Sequence, residues 1–136
     1  MKKNLSLGFT LLELLVVISI IGILIAMSSV AFATAQQKSR NARRLSDIKA
    51  LQDGFEQFYA INTFYDDYAT MTGDPELFPA GAPTDPKPTF TYDFTQSSSS
   101  DYCICAEVEG TTGNSNADCA SMGITNGTHY CLVNLQ

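Results

Sequence analysis

Phe9-Thr10-Leu11-Leu12-Glu13-Leu14-Leu15-Val16-Val17-Ile18-Ser19-Ile20-Ile21-Gly22-Ile23-Leu24-Ile25-Ala26-Met27-Ser28-Ser29-Val30-Ala31-Phe32-Ala33 is the stretch that decides what kind of chain this is. Leu14 to Ala33 is 20 residues without a charge, the length a helix needs to cross about 30 Å of hydrocarbon. Glu13 is the one ionisable side chain between Phe9 and Ala35. A carboxylate in a membrane-length apolar helix is costly and calls for a functional reason. Ahead of it stands a short basic head, Met1-Lys2-Lys3-Asn4-Leu5-Ser6-Leu7-Gly8.

A secretory leader is one reading, because Ala31-Phe32-Ala33 and Ala33-Thr34-Ala35 both offer small-residue cleavage sites. The apolar run, however, exceeds the usual leader core of about 7–15 residues, and a leader gains nothing from Glu13. The basic residues ending in Gly8, then Phe9-Thr10-Leu11-Leu12-Glu13 and the apolar run, closely resemble the N-terminus of the type IV pilin and pseudopilin family over residues 2 to about 35. The resemblance implies that a membrane-embedded prepilin peptidase cuts after Gly8. It also implies N-methylation of the new amine of Phe9, which keeps its charge. An assembly ATPase and a platform protein are further partners implied in this way.

The physics of Glu13 fits that reading. A free ammonium at Phe9 and a carboxylate at Glu13 are each costly alone in a low-dielectric helix bundle. If subunits pack side by side, Glu13 of one can meet the Phe9 amine of the next and fix the axial register. The plainer alternative leaves Glu13 at the water interface. Gly22 lowers helix propensity by about 1 kcal/mol relative to Ala, so it is a candidate for local unwinding within a filament. Close packing is the other reading for Gly22 and for Ser19, Ser28 and Ser29. Orientation is less tidy: Lys2 and Lys3 precede the span, whereas Lys38, Arg40, Arg43 and Arg44 follow it. That count runs against the positive-inside rule. The acidic remainder, the cysteines and the resemblance place the C-terminal part outside.

Beyond the span, Leu45, Ile48, Leu51 or Gln52, Phe55 and Phe58 or Tyr59 recur at helical spacing. Arg43, Arg44, Asp47, Lys49, Asp53 and Glu56 are assigned to the opposite side, and Gly54 weakens this half without stopping it. Residues 62–101 read as a surface loop with short extended pieces, with all five prolines between Pro75 and Pro88. Phe90-Thr91-Tyr92-Asp93-Phe94 alternates like a half-buried strand, and Ser97 to Ser100 reads as a turn or linker. Tyr102–Val108 and Thr128–Leu135 read as two strands around a Gly-, Asn- and Thr-rich loop. The expected organisation is a leader at 1–8, a transmembrane or filament-core helix at 9–35, its amphipathic continuation at 36–62, and a head at 63–136. The fold class is α+β, a long helix packed through its C-terminal half on a small antiparallel sheet.

A head of that size buries a modest core, so covalent staples would help it. Cys103, Cys105, Cys119 and Cys131 form an even set, which in an exported domain implies disulfides. Cys103 and Cys105 share one strand face; which cysteines pair is left open, with Cys103–Cys105 disfavoured. The competing reading is tetrahedral zinc, with His129 joining the thiols. Cys-x-Cys is tighter than the usual ligand spacing, so no metal and no cofactor is expected.

Pro83-Thr84-Asp85-Pro86 with Phe90 and Tyr92, and Ala60-Ile61-Asn62-Thr63-Phe64-Tyr65, partly resemble segments of major pseudopilins and short pilins. Asp66 follows Tyr65, no Trp-Gly follows Pro86, and the four cysteines are atypical of major pseudopilins. These departures favour a short filament-forming pilin. Asn114, Asn116 and Asp118 offer alternating oxygens to calcium without an EF-hand frame, and a solvated turn is the expected reading. Asn126-Gly127-Thr128 fits the glycosylation acceptor pattern.

The remaining classes lack parts. One histidine and no phosphate loop or nucleophile elbow argue against an enzyme. The net charge is −6, and Lys49 and Lys87 are the only basic side chains beyond Arg44, so the head would repel nucleic acid. The cluster Lys38 to Arg44 is assigned to lipid head groups, to acidic surfaces of neighbouring subunits, or to a solvated helix face. The sequence thus points to a homo-oligomeric structural subunit. It would be held in the cytoplasmic membrane as a single-pass precursor with its N-terminus inside, then drawn into a helical surface filament. A secretion-system pseudopilin is the alternative, and a membrane-anchored or secreted module that never polymerises is a third reading.

Overall fold

A computed structural model of the protein describes residues 8–116, 119, 122–124 and 126–136. Lys2 and Lys3, and Asp118, lie outside the described residues. One helix, α1, runs Leu11–Asn62, followed by a short helix α2 (Tyr68–Thr72) and strands β1 (Tyr92–Ser98), β2 (Asp101–Glu107) and β3 (His129–Val133). The strands form one antiparallel sheet in the order β1-β2-β3. This is the α+β arrangement expected from the sequence. The chain forms two compact units, one up to Gln36 and one spanning Gln37–Gln136.

In the first unit every described residue is exposed, and α1 contains a window of mean hydropathy 2.7, long and apolar enough to cross a membrane. Ser19, Ser28, Ser29 and Thr34 turn their hydroxyls back onto the carbonyls of Leu15, Leu24, Ala26 and Val30. Their polarity is thereby met inside the helix, as a bilayer requires. Gly22 lies inside α1 with open space beside it.

The second unit is built on α1 from Gln37 onward. Ile48, Leu51, Phe55 and Phe58 are buried, whereas Leu45, expected on the same stripe, is 43% exposed. The buried face is turned toward Arg44 and Gln52 instead. Phe55 is the hub, with edge-on contacts to Tyr102, Phe94, Tyr68 and Phe78 at 5.3, 5.7, 6.1 and 6.3 Å between ring centroids. Such pairs add about 0.5–1.5 kcal/mol beyond area burial. Gly54 has a packing reason: a Cβ there would collide with the Phe78 ring.

Period-two alternation splits β2 between two clusters. Tyr102, Ile104 and Ala106 face the helix core, and Cys103 and Cys105 face a second cluster with Cys131, Cys119 and Met122. All five β2 residues, Tyr102 to Ala106, are buried.

The stretch after α1 departs from the loop expected there. Asp67 caps α2, its carboxylate accepting from the Thr70 N–H at 3.0 Å and the Thr70 hydroxyl at 2.8 Å, and Met71 is buried. The serine run is shifted as well. Ser97 and Ser98 complete β1, and Asp101 holds the turn by accepting from both their N–H groups. Glu56, assigned to the polar side, is half-buried and accepts from Tyr65, Tyr102, the Leu135 N–H and the Gln136 amide.

The outer edge of β3 is covered by residues 113–116. Ser115 exchanges backbone bonds with His129. The Asn114 amide then takes the Cys131 N–H at 2.7 Å and donates to the Cys131 carbonyl at 2.9 Å. The approach is close because Gly113 and Gly127 face each other; a Cβ on Gly127 would collide with the Ser115 backbone.

Candidate functional site

Three groups of side chains carry the chemistry, and the first is the start of α1. Glu13 accepts the Thr10 N–H and the Thr10 hydroxyl, both at 2.9 Å, while the Glu13 N–H donates to Thr10 Oγ1 at 3.2 Å. Thr10-x-x-Glu13 is a reciprocal capping box. The Thr10-to-Glu13 spacing is itself the sequence signal for this cap. Phe9, next to the cap, is 90% exposed, and Gly8 is exposed beside it.

The second group corrects the expectation for the basic cluster. Arg44 is fully buried and its guanidinium forks onto Asp85, itself 1% exposed, at 2.7 and 3.0 Å. Its third nitrogen reaches Asn41 Oδ1 and Glu109 at 2.9 and 3.0 Å. Arg40 makes a second fork on Glu109, both bonds 2.6 Å. Lys87 lies 3.8 Å from the same carboxylate, and Arg44 and Lys87 both sit 4.9 Å from the centre of the Phe90 ring. Asn41 closes the joint by exchanging bonds with the Glu109 backbone. Arg40 and Arg44 therefore neither face lipid nor form a solvated stripe; they bind α1 to residues 85–90 and 109 of the same chain. The physical reason is that burying Arg44 requires a planar bidentate partner, which Asp85 supplies. Arg43 fits the solvated reading, its side chain 61% exposed and 3.7 Å from Asp47.

The Arg40 fork holds the Glu109 carboxyl down at about 2, assisted by Arg44 and Lys87 and opposed by burial. An unfolded glutamate titrates near 4.3. A depressed folded value means that the stabilisation is complete above about pH 4.3 and is lost as pH falls through about 2. Urea midpoints of the full chain are expected to fall across that window. Glu109→Gln should flatten that fall, and equal slopes in the two proteins would remove Glu109 from this role.

The third group is the sulfurs. Cys103 is bonded to Cys119 with Cα atoms 6.1 Å apart, and Cys105 to Cys131 across β2 and β3 with Cα atoms 4.1 Å apart. Each closed loop contributes about 2–4 kcal/mol. His129 stays outside this group, its Nδ1 3.0 Å from the Thr128 hydroxyl. Asn114, expected in a solvated turn, instead has both amide atoms bonded to the Cys131 backbone.

Comparison with known proteins adds two findings. Residues 3–29 match the family described as Prokaryotic N-terminal methylation motif. The chain is 36% identical over 66 residues to the Type IV major pilin protein PilA of Myxococcus xanthus (strain DK1622), covering 48% of this chain and 30% of that protein. The chain thus spans under a third of the relative it matches. No solved structure matches.

Proposed function

We propose that this chain belongs to the type IV pilin family, a reading supported by the matched methylation motif and the pilin relative, and that it is a structural, non-catalytic subunit of a type IV pilus, cut after Gly8 and polymerised through its N-terminal helix. The observation that carries this reading is the first unit itself. From Leu11 to Phe32 its large apolar side chains are exposed, the sole acid is Glu13, and every polar hydroxyl is turned inward. Such a surface is stable only against lipid or against other apolar helices. Lipid serves the precursor, single-pass with its N-terminus in the cytoplasm; copies of the same helix serve the extracellular filament. Phe9 is the N-methylated residue, and Phe9 and Glu13 of adjoining subunits pair. Gly22 is the position where the helix would unwind on assembly. Residues 9–35 form the filament core, and 63–136 the outward head. Prepilin peptidase, an assembly ATPase and a platform protein complete the machinery.

Mass spectrometry of the mature N-terminus tests this reading. The expected species begins at methylated Phe9. A start at Thr34 or Gln36 would instead show a secretory leader, and an uncut Gly8–Phe9 bond would remove the processing step.

A further inference from the structure

We propose that the four cysteines, when reduced, form a tetrathiolate site for one zinc-class divalent cation, so that the head has two alternative locks, disulfide and metal. The four Sγ atoms all lie within 4.8 Å of one another. Tetrahedral zinc with thiolate bonds of about 2.3 Å places its sulfurs roughly 3.8 Å apart. Cys103 Sγ and Cys105 Sγ already stand 3.9 Å apart, and Cys105 Sγ and Cys119 Sγ 3.6 Å. Two edges of the tetrahedron are therefore present in the oxidised head. The two bonded pairs must open to the same spacing, and the Cys103–Cys131 and Cys119–Cys131 edges, each within 4.8 Å, must settle on it.

The scaffold fixes three of the four ligands before any ion arrives. Cys103 and Cys105 share one face of β2 and Cys131 lies opposite Cys105 on β3, with Asn114 holding the Cys131 backbone from outside. Cys105, Cys103 and Cys131 are 3%, 6% and 0% exposed, which keeps competing water away. Cys119, half-buried between Ser115 and Gly127, supplies the fourth sulfur. Four soft sulfurs in tetrahedral reach select zinc-like ions over calcium or magnesium.

The chemistry balances. Each disulfide takes two electrons and two protons from an external dithiol, which leaves as its own disulfide. The four thiols then release four protons as the cation binds, leaving the site with two negative charges. Oxidation by an external disulfide runs the sequence backward and expels the ion.

The test uses the full chain in detergent micelles, reduced with a phosphine and freed of it under anaerobic conditions, with cobalt(II) as the probe. One cobalt per chain is expected, with the visible and charge-transfer bands of a four-thiolate tetrahedral centre, bleached by zinc. The oxidised chain should bind none. Cys119→Ser should weaken cobalt binding at least about tenfold and change the spectrum to three thiolates. If that variant fails to fold, proton release on zinc addition to the reduced natural chain decides: four protons per ion below the thiol pKa are expected. Absence of saturable cobalt binding, a spectrum of fewer than four thiolates in the natural chain, or more than one ion per chain would overturn the proposal.

Discussion

Arg44→Ala is expected to lower the stability of the Gln37–Gln136 unit by about 3–5 kcal/mol, the usual cost of removing one partner from a buried ion pair. The cost arises less from the attraction lost than from what stays behind. Asp85 is 1% exposed, and without Arg44 its carboxylate keeps, among the described residues, the Lys87 N–H at 2.8 Å. Glu109 retains Arg40, so Asp85 bears the change. Against a typical total of about 5–15 kcal/mol, this substitution removes a large share. In urea unfolding of the full chain in micelles, the midpoint should fall with little change in slope.

The neighbouring arginines supply the scale. Arg40, its side chain 31% exposed, pairs with Glu109 near solvent; Arg40→Ala should cost about 1 kcal/mol or less. Arg43, 61% exposed, should stay within about 0.5 kcal/mol when replaced. Arg44→Lys keeps the charge but loses the fork, and should fall between Arg40→Ala and Arg44→Ala. Arg44→Met combined with Asp85→Leu removes both charges and should recover most of the loss. Equal midpoints for Arg44→Ala and Arg43→Ala would sink this account of the joint.

How much of this was legible follows from how locally each feature is encoded. The apolar run, the lone acid and the strand alternation of Tyr102 to Ala106 are periodic or compositional signals. They gave the long helix, the sheet and the separate face of Cys103 and Cys105. Arg44 was misplaced for the opposite reason: in a helical pattern it reads as polar, and only Asp85, 41 positions away, makes its burial tolerable. Leu45 was drawn into the core by its apolarity, yet the face that includes Arg44 and Ile48 turns it outward. α2 hid in a loop-like composition because a five-residue helix has no periodicity to show; its signal was the Asp67-to-Thr70 cap spacing. The cysteine pairing depended on where the 109–127 loop returns, which no local pattern specifies.

Glu13→Ala is expected to abolish filaments while leaving the precursor in the membrane, but the structure requires a sharper experiment. In the isolated chain Glu13 is half of the capping box with Thr10, so alanine removes two things at once. It loses the cap, at about 1 kcal/mol, and, if the proposed pairing holds, it leaves the neighbour's Phe9 ammonium unpaired in an apolar core, at about 3–5 kcal/mol. The second cost alone weakens each subunit addition by about a hundredfold or more, since about 1.4 kcal/mol is a factor of ten. Glu13→Gln separates them, because glutamine at the third helical position still completes a capping box but carries no charge. Thr10→Val does the converse, keeping the charge and losing the hydroxyl. If pairing between subunits is what the acid is for, Glu13→Gln should be processed and inserted yet form no surface filaments. Thr10→Val should then assemble with a modest deficit, counted by electron microscopy of sheared filaments. Should Glu13→Gln assemble normally and Thr10→Val fail, Glu13 would be a helix cap and the intermolecular ion pair would be wrong.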